Sequence, residues 1–557
     1  AGVFEIPVEQ GRGRPPPTLP LNYPQTMQPT ITGAQIIGSA ESARGPETFR
    51  TRDPRTGEPT PWAFHEAGET EIDTAANLAK SAFPAFRALP GERRAAFLRA
   101  IADSLDADAD ALVAVYTMES GLPEGRARGE LGRTTNQLRA FAALVASGSW
   151  QQARIDTALP NRKPVPRPDL RKCLFPIGPV AVFGASNFPF AFSTAGGDTA
   201  SALAVGCPVV VKGHPLHAGT GEAVARHIQR AAKETGMPDG VFAHLQGSGN
   251  ALGEALVKHP AIKAVGFTGS RKGGLSLFQM GQQRPEPIPV FAEMGSINPV
   301  VVLPSATDPG LGWPAAYARS VTLGTGQFCT NPGLILGIAG PAWDSFTTAL
   351  SAEISKVPAG CMLHRGMADH FRELRKEFLS HPGVEAVEAP KEEGGDALVA
   401  GTVARVKGAD FCKSPALQQE VFGPFTLVVA CADGEELLRA VHLLEGQLTA
   451  SILGEPAELG AYPGLLEALR DKVGRLLFNG VPTGVEVCPS MQHGGPYPAT
   501  TDARFTSVGT DAIYRWLKPL TFQNAPREVL PPALQDHNPL GIWRTVNGTF
   551  TQKSIDP

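Results

Sequence analysis

The chain has 557 residues, 42% apolar and 19% charged, with 50 Lys+Arg against 54 Asp+Glu for a formal net charge of -4. That length exceeds what one hydrophobic core organises and implies about two or three domains, while the near-neutral balance excludes a general pull toward nucleic acid or an anionic membrane. The 7 cysteines (173, 207, 329, 361, 412, 431 and 488) include no CxxC pair, so neither a disulfide framework nor a metal site is expected, and reduced thiols in a cytoplasmic protein are.

Residues 1–30 carry Pro15, Pro16, Pro17, Pro20, Pro24 and Pro29 with little apolar periodicity, which predicts an extended tail. No basic region followed by an apolar stretch is present there, so no secretory signal is expected. Gln35-Ile36-Ile37-Gly38 predicts a short strand and turn. From Glu71 to Val145 the apolar spacing is helical, as in Phe83 and Phe86, then Phe97, Ile101 and Leu105, with a break at Gly121-Leu122-Pro123.

Residues 174–270 alternate strand and helix signals. Strands are predicted at Val180 to Phe183, Pro208 to Val211, Val241 to Leu245 and Ala264 to Phe267, with helices at 200–205, 222–235 and 251–258. Near-continuous apolar strands separated by helices define an α/β chain with a parallel sheet covered on both faces, and such sheets bind ligands at the carboxyl ends of their strands. A second α/β region follows over 292–500, with strands at Pro299 to Leu303, Leu334 to Ile338 and Phe425 to Ala430. Beyond Thr501, scattered aromatics among many prolines predict an ordered excursion rather than a third core. No apolar run approaches the roughly 20 residues of a membrane-spanning helix.

Four segments carry candidate chemistry. In Gly326-Gln327-Phe328-Cys329-Thr330-Asn331-Pro332 a cysteine is ringed by small and turn-forming residues. It fits either a buried small hydrophobe or a thiol at a strand-to-helix junction, where backbone N–H groups lower its pKa and then hold an oxyanion. Glu293, in Phe291-Ala292-Glu293-Met294-Gly295, follows an apolar run; burial would raise its pKa and suit it to general base catalysis, or it caps a helix or forms a salt bridge. Asn187, in Ser186-Asn187-Phe188-Pro189, is a candidate oxyanion donor or a turn residue. Lys212 ends one parallel strand, and Gly269-Ser270 open the helix after another, where free N–H groups favour pyrophosphate. No G-x-G-x-x-G fingerprint is present.

With Glu420-Val421-Phe422-Gly423-Pro424 these motifs occur in the order found in aldehyde dehydrogenases, and over residues 31–510 the chain resembles that family. The resemblance implies a Rossmann-like parallel-sheet cofactor domain (31–291), an α/β catalytic domain (292–500) and a small oligomerisation element formed by residues 150–170 and the 501–557 extension. It implies that Cys329 attacks an aldehyde, that Asn187 and the Cys329 N–H hold the oxyanion, and that Glu293 activates water. Lys212 and Glu420 would then hold the two riboses, Ser270 the pyrophosphate, and Phe422 the nicotinamide side.

Many NAD⁺-using relatives carry an acid three positions after the strand-end lysine, where this chain has Pro215. With no carboxylate to repel a 2′-phosphate, and Lys212 and His214 to attract it, NADP is expected as preferred cofactor, with NAD as second. The stretch Met491-Gln492-His493-Gly494-Gly495-Pro496-Tyr497-Pro498 resembles a branch that contains NADP-dependent fatty aldehyde and α-ketoglutaric semialdehyde (2,5-dioxopentanoate) dehydrogenases, and the runs Asn538 to Arg544 and Val546 to Gly548 resemble its semialdehyde members. His493 either tunes the thiol or assists proton transfer, or it only bonds backbone in a loop. The resemblance implies α-ketoglutarate semialdehyde as substrate, a long aliphatic aldehyde as alternative, and a homodimer; Ala158 to Pro168, rich in Pro and Arg, argues against a long regular pairing arm. A cysteine-dependent acyl transferase or hydrolase would share Cys329 but need neither Lys212 nor Gly269-Ser270. A non-catalytic relative would be free to lose Cys329, Glu293 or Asn187, and all three are present.

Overall fold

The computed structural model describes residues 30–388 and 394–555. The stretch expected as a tail over 1–30 lies, apart from Thr30, outside them.

Helices Glu69–Ala88, Gly91–Ala107, Ala109–Ser120 and Glu124–Ser147 fill the region of helical spacing. The break falls where expected, with Gly121 left-handed at φ 66° and Pro123 capping the next helix. The first large sheet has seven strands in the order Val290–Glu293, Ala264–Thr268, Val180–Phe183, Val209–Lys212, Phe242–Leu245, Gln35–Ile37 and Ala40–Ser42. The first five are parallel and the last two antiparallel. Period-two alternation explains why these strands read as unbroken apolar runs. Val180, Val182, Val209 and Val211 join one core, whereas Ala181, Phe183, Val210 and Leu245 join another on the opposite face.

The chain leaves Val180–Phe183 toward one edge of this sheet and returns to pair Ala264–Thr268 on its other side. That reversal opens a crevice at the carboxyl ends of the two strands. Asn187 and Gly269 follow those ends.

The second sheet also has seven strands, in the order Glu385–Ala386, Thr402–Lys407, Phe425–Cys431, Leu334–Ile338, Val300–Val302, Gln447–Leu453 and Val473–Phe478, all parallel except the first.

The C-terminal region departs from the expectation of a mere excursion. Leu517–Gln523, Leu170–Pro176, Arg154–Asp156, Arg544–Val546 and Thr549–Thr551 form a third sheet in that order. It has its own buried cluster of Ala153, Ile155, Cys173, Leu530, Ala533, Leu534 and Ile542. These apolar residues come from two segments far apart in the chain, so neither shows a periodicity by itself. Between Asp156 and Leu170 pairing reduces to the single bridge Leu159–Arg167, in keeping with the prolines there. No helix among the described residues is long and apolar enough to cross a membrane.

Candidate active site

The segment from Leu323 to Gly333 links helix Trp313–Thr322 to the strand Leu334–Ile338. Cys329 therefore stands at a helix-to-strand junction, not the strand-to-helix junction expected. The reason is local. Gly324, Thr325 and Gly326 all have positive φ (54°, 60° and 67°), which ends the helix and turns the chain back. At Gly326 a side chain is also excluded by contact, since a Cβ would lie 2.2 Å from the Gly423 carbonyl.

Asn298, buried and itself at φ 47°, pins this turn. Its amide donates to the carbonyls of Cys329 and Asn331, each at 2.9 Å, and its Oδ1 accepts from Ser296 and Thr449, each at 3.0 Å. Sequence reasoning missed Asn298; its only signal was an asparagine just before an apolar strand. Asn331 Nδ2 donates to the Gly423 carbonyl at 3.1 Å, which ties the Glu420–Pro424 motif to the cysteine turn.

Glu293 ends the strand Val290–Glu293 and is buried with His493. His493 Nε2 lies 3.0 Å from Glu293 Oε1 and 3.4 Å from Cys329 Sγ. Ser507 donates a hydrogen bond to Glu293 Oε2. The three ligand-type atoms of Glu293, Cys329 and His493 all lie within 4.8 Å of one another.

This arrangement corrects the expectation that burial raises the Glu293 pKa. Burial does push upward, but the charge of His493 in contact with the carboxyl and the hydrogen bond from Ser507 outweigh it and hold the carboxyl below its ordinary range. For His493, burial disfavours the charged ring, yet Glu293 and Cys329 overcome it and raise the pKa to about 10. The imidazole is thus cationic at neutral pH, between a carboxylate and a thiol. Of the two earlier readings of His493, contact with the thiol is the one observed.

Asn187 is buried beside this group, and its Nδ2 donates to the Gln327 carbonyl at 3.1 Å. An amide nitrogen has two hydrogens, so one donor is left. Among the described residues the Cys329 main-chain N–H donates to no protein group. Arg126 Nη2 donates to the Asn187 carbonyl at 2.7 Å, and its guanidinium is stacked 4.9 Å from the Phe188 ring and 4.4 Å from the Phe328 ring. Arg126, Glu130 and Arg133 were absent from the sequence reading. Their signal is polar residues at helical spacing on the face of Glu124–Ser147 that packs inward.

On the crevice side, Lys212 ends the strand Val209–Lys212; burial lowers its pKa to about 8, opposed by Glu66. It forms no hydrogen bond or ion pair with the described residues. Glu66, another residue the sequence reading missed, accepts from the Ser248 N–H and hydroxyl. His214 is held neutral by burial and by the nearby His217 and Lys212; its Nδ1 accepts from the Leu216 N–H at 3.2 Å and its ring stacks on His217. Attraction of a phosphate therefore falls to Lys212.

Ser270 caps helix Arg271–Gln282 by accepting from the Gly273 N–H at 3.2 Å, and Gly269 N–H donates to the Glu293 carbonyl at 3.0 Å. Glu420 and Phe422 border a small cavity with Ser296 and Gly326. Burial pushes the Glu420 carboxyl up to about 7, against a hydrogen bond from the Ser296 backbone. A partly buried cation without an acceptor among the described residues (Lys212), a helix N-terminus (Ser270) and the Glu420 carboxyl form a set of groups that fits a dinucleotide.

A parallel sheet with a crevice at its switch point, joined to a second sheet that carries a thiol, defines an α/β enzyme with a nucleotide-type domain. The chain belongs to the aldehyde dehydrogenase family, whose model matches residues 41–495; it is an oxidoreductase acting on aldehydes. It is 49% identical over 520 residues to an α-ketoglutaric semialdehyde dehydrogenase of Azospirillum brasilense, covering 93% of this chain and 99% of that protein. It is 45% identical over 529 residues to an α-ketoglutaric semialdehyde dehydrogenase of Acinetobacter baylyi, with 93% and 99% coverage. The fold matches the crystal structure of a betaine aldehyde dehydrogenase from Staphylococcus aureus in complex with NAD⁺, with a TM-score of 0.76 at 20% identity, over 90% of this chain and 99% of that one.

Proposed function

We propose that this enzyme oxidises α-ketoglutarate semialdehyde to 2-oxoglutarate through a covalent intermediate on Cys329. The observation that carries the mechanism is the contact of His493 Nε2 with both Cys329 Sγ and Glu293 Oε1. The substrate rests on likeness, at 49% and 45% identity over almost the whole chain, to two dehydrogenases of that semialdehyde.

Cys329 reacts as the thiolate, its proton passing to solvent, and the cationic imidazole beside Glu293 stabilises that charge. The thiolate attacks the aldehyde carbon, a C–S bond forms, and the carbonyl oxygen becomes an alkoxide. The remaining Asn187 amide hydrogen and the Cys329 N–H donate to that alkoxide. A bound nicotinamide would supply the oxidant for this step, taking hydride from the same carbon so that the alkoxide collapses to a thioester on Cys329. On the resulting thioester Glu293 takes a proton from water, the hydroxide adds, and the C–S bond breaks to release the carboxylic acid and regenerate the thiolate.

Lys212, Gly269, Ser270, Glu420 and Phe422 would hold the cofactor. NADP as preferred partner, over NAD, is supported by Lys212 and by Pro215 at the position where an acid would repel a 2′-phosphate. Glu66 opposes that preference, since it is the carboxylate acting on Lys212. Residues 31–291 then serve as the cofactor domain, 292–500 as the catalytic domain, and 150–170 with 501–557 as the oligomerisation element of a cytoplasmic homodimer. On the third sheet, exposed Trp543 and Phe550 stack at 4.8 Å and offer an apolar contact to a second copy.

A kinetic screen of 2,5-dioxopentanoate, glutarate semialdehyde and long aliphatic aldehydes with each cofactor tests this function. The expected result is the highest kcat/KM for 2,5-dioxopentanoate with NADP⁺, and a further several-fold shift toward NADP⁺ in Glu66→Gln. Preference for long aldehydes, or for NAD⁺, contradicts the corresponding part.

A further inference from the structure

Helix Glu124–Ser147 carries Arg126, Glu130 and Arg133 on one face, at i, i+4 and i+7. Glu130 is fully committed to the protein; Arg126 is committed through Nη2, its buried Nε and Nη1 forming no hydrogen bond with the described residues. Glu130 Oε1 accepts from the N–H groups of Phe190 (2.8 Å) and Ala191 (3.0 Å), and Oε2 accepts from the Tyr116 hydroxyl at 2.7 Å. Arg126 holds the Asn187 carbonyl and lies 4.0 Å from Glu130.

Arg133 differs. Its guanidinium sits 5.0 Å over the Phe192 ring, and its buried Nε and Nη2 meet no acceptor among the described residues. The same Nε/Nη2 edge grips a carboxylate elsewhere in this molecule, in Arg171 with Asp169 and in Arg504 with Asp502. A guanidinium does not shed its proton at neutral pH, so a buried edge with no partner is costly unless an anion completes it.

The location matters as much as the chemistry. Phe192 lies 6.1 Å from the His493 ring and 5.4 Å from Phe188, and Phe188 lies 5.1 Å from Phe328, the residue before Cys329. Arg133 is thus separated by one aromatic ring from the imidazole that touches Sγ. In support, burial disfavours its charge while Cys329 is foremost among the groups that favour it.

We propose that Arg133 is the anchor for the carboxylate at the far end of the substrate, gripped in two-point fashion by Nε and Nη2 while the aldehyde meets Cys329. The substrate class is the semialdehyde of a short dicarboxylic acid. The rings of Phe188, Phe192 and Phe328 line its apolar middle, and the carboxylate selects against simple alkanals. This inference rests on the semialdehyde function proposed above and assigns the residue that recognises the distal end.

The test compares wild type with Arg133→Met and Arg133→Lys on 2,5-dioxopentanoate, glutarate semialdehyde and pentanal, with glutarate as a competitive probe against pentanal. In Arg133→Met, kcat/KM for both carboxylated substrates falls by about 100-fold or more, mainly through KM. Pentanal turnover stays within about threefold, glutarate stops competing, and Arg133→Lys recovers part of the loss. A wild-type preference for the carboxylated substrates that survives Arg133→Met overturns the anchor alone. An equal loss on pentanal also overturns it, by making Arg133 structural. Wild-type indifference to the carboxylate overturns the substrate assignment, and the anchor with it.

Discussion

The two large sheets have the same number of strands but serve the site from opposite ends. In the first, the candidate residues follow the strands: Asn187 after Val180–Phe183, Lys212 at the end of Val209–Lys212, Gly269 after Ala264–Thr268, and Glu293 closing Val290–Glu293. In the second they precede them: Asn298 before Val300–Val302, Cys329 before Leu334–Ile338, and Glu420 with Phe422 before Phe425–Cys431. The carboxyl edge of one sheet therefore meets the amino edge of the other. The first edge needs only ordinary strand ends. The second needs an unusual turn, three successive positive φ angles followed by Cys329 and Asn331 carbonyls held by Asn298, to bring a thiol across to Glu293 and His493.

If the first edge supplies the oxyanion donor to a thiol from the second, Asn187→Ala lowers kcat by about 10²–10³-fold. Thiol alkylation by a neutral reagent should change far less, because the Cys329–His493 contact is retained. Equal losses in both measurements would mean that Asn187 merely supports the turn through Gln327 and would break the division between the edges.

A smaller effect reports on the ion pair that joins them. The His493 pKa is raised from 6.5 to about 10, so its stabilisation is present in full below pH 6.5 and is lost as pH rises toward 10. Lys212, lowered from 10.5 to about 8, works in the other direction, its burial cost easing above pH 8. The contribution of the pair is therefore read as a difference in Tm between wild type and Glu293→Gln. That difference should shrink as pH rises from 6.5 to 10, by a few degrees at most for a chain of this size. A constant difference would sharpen the picture toward a neutral His493.

These contrasts explain what was legible in the sequence. Residues at carboxyl ends of parallel strands announce themselves through position, which is why Asn187, Lys212, Gly269 and Glu293 were placed by the strand pattern. Cys329, Glu420 and His493 occupy loops with no periodicity; the small and turn-forming neighbours of Cys329 made it a candidate, and family resemblance marked the other two. The loop bearing Cys329 was assigned the wrong flanks, since Gly324 to Gly326 end a helix rather than begin one. The rise expected for the Glu293 pKa failed because its partner His493 lies 200 residues further along the chain. Arg133 was missed because its meaning lies in an absent protein partner, which no sequence window displays. The resemblance grouped residues 150–170 with 501–557, but no periodicity showed the third sheet there, because its core joins residues 153–173 to 530–542.

The central claim, covalent chemistry on Cys329, is tested most directly by trapping the acyl group. Glu293→Gln is mixed with 2,5-dioxopentanoate and oxidised cofactor, quenched in acid and mapped by peptide mass spectrometry. The account predicts one burst of reduced cofactor per active site and an acyl adduct on the peptide containing Cys329, both lost when Cys329→Ala is added. Continued turnover in the double variant, or an adduct on another of the cysteines, would contradict it.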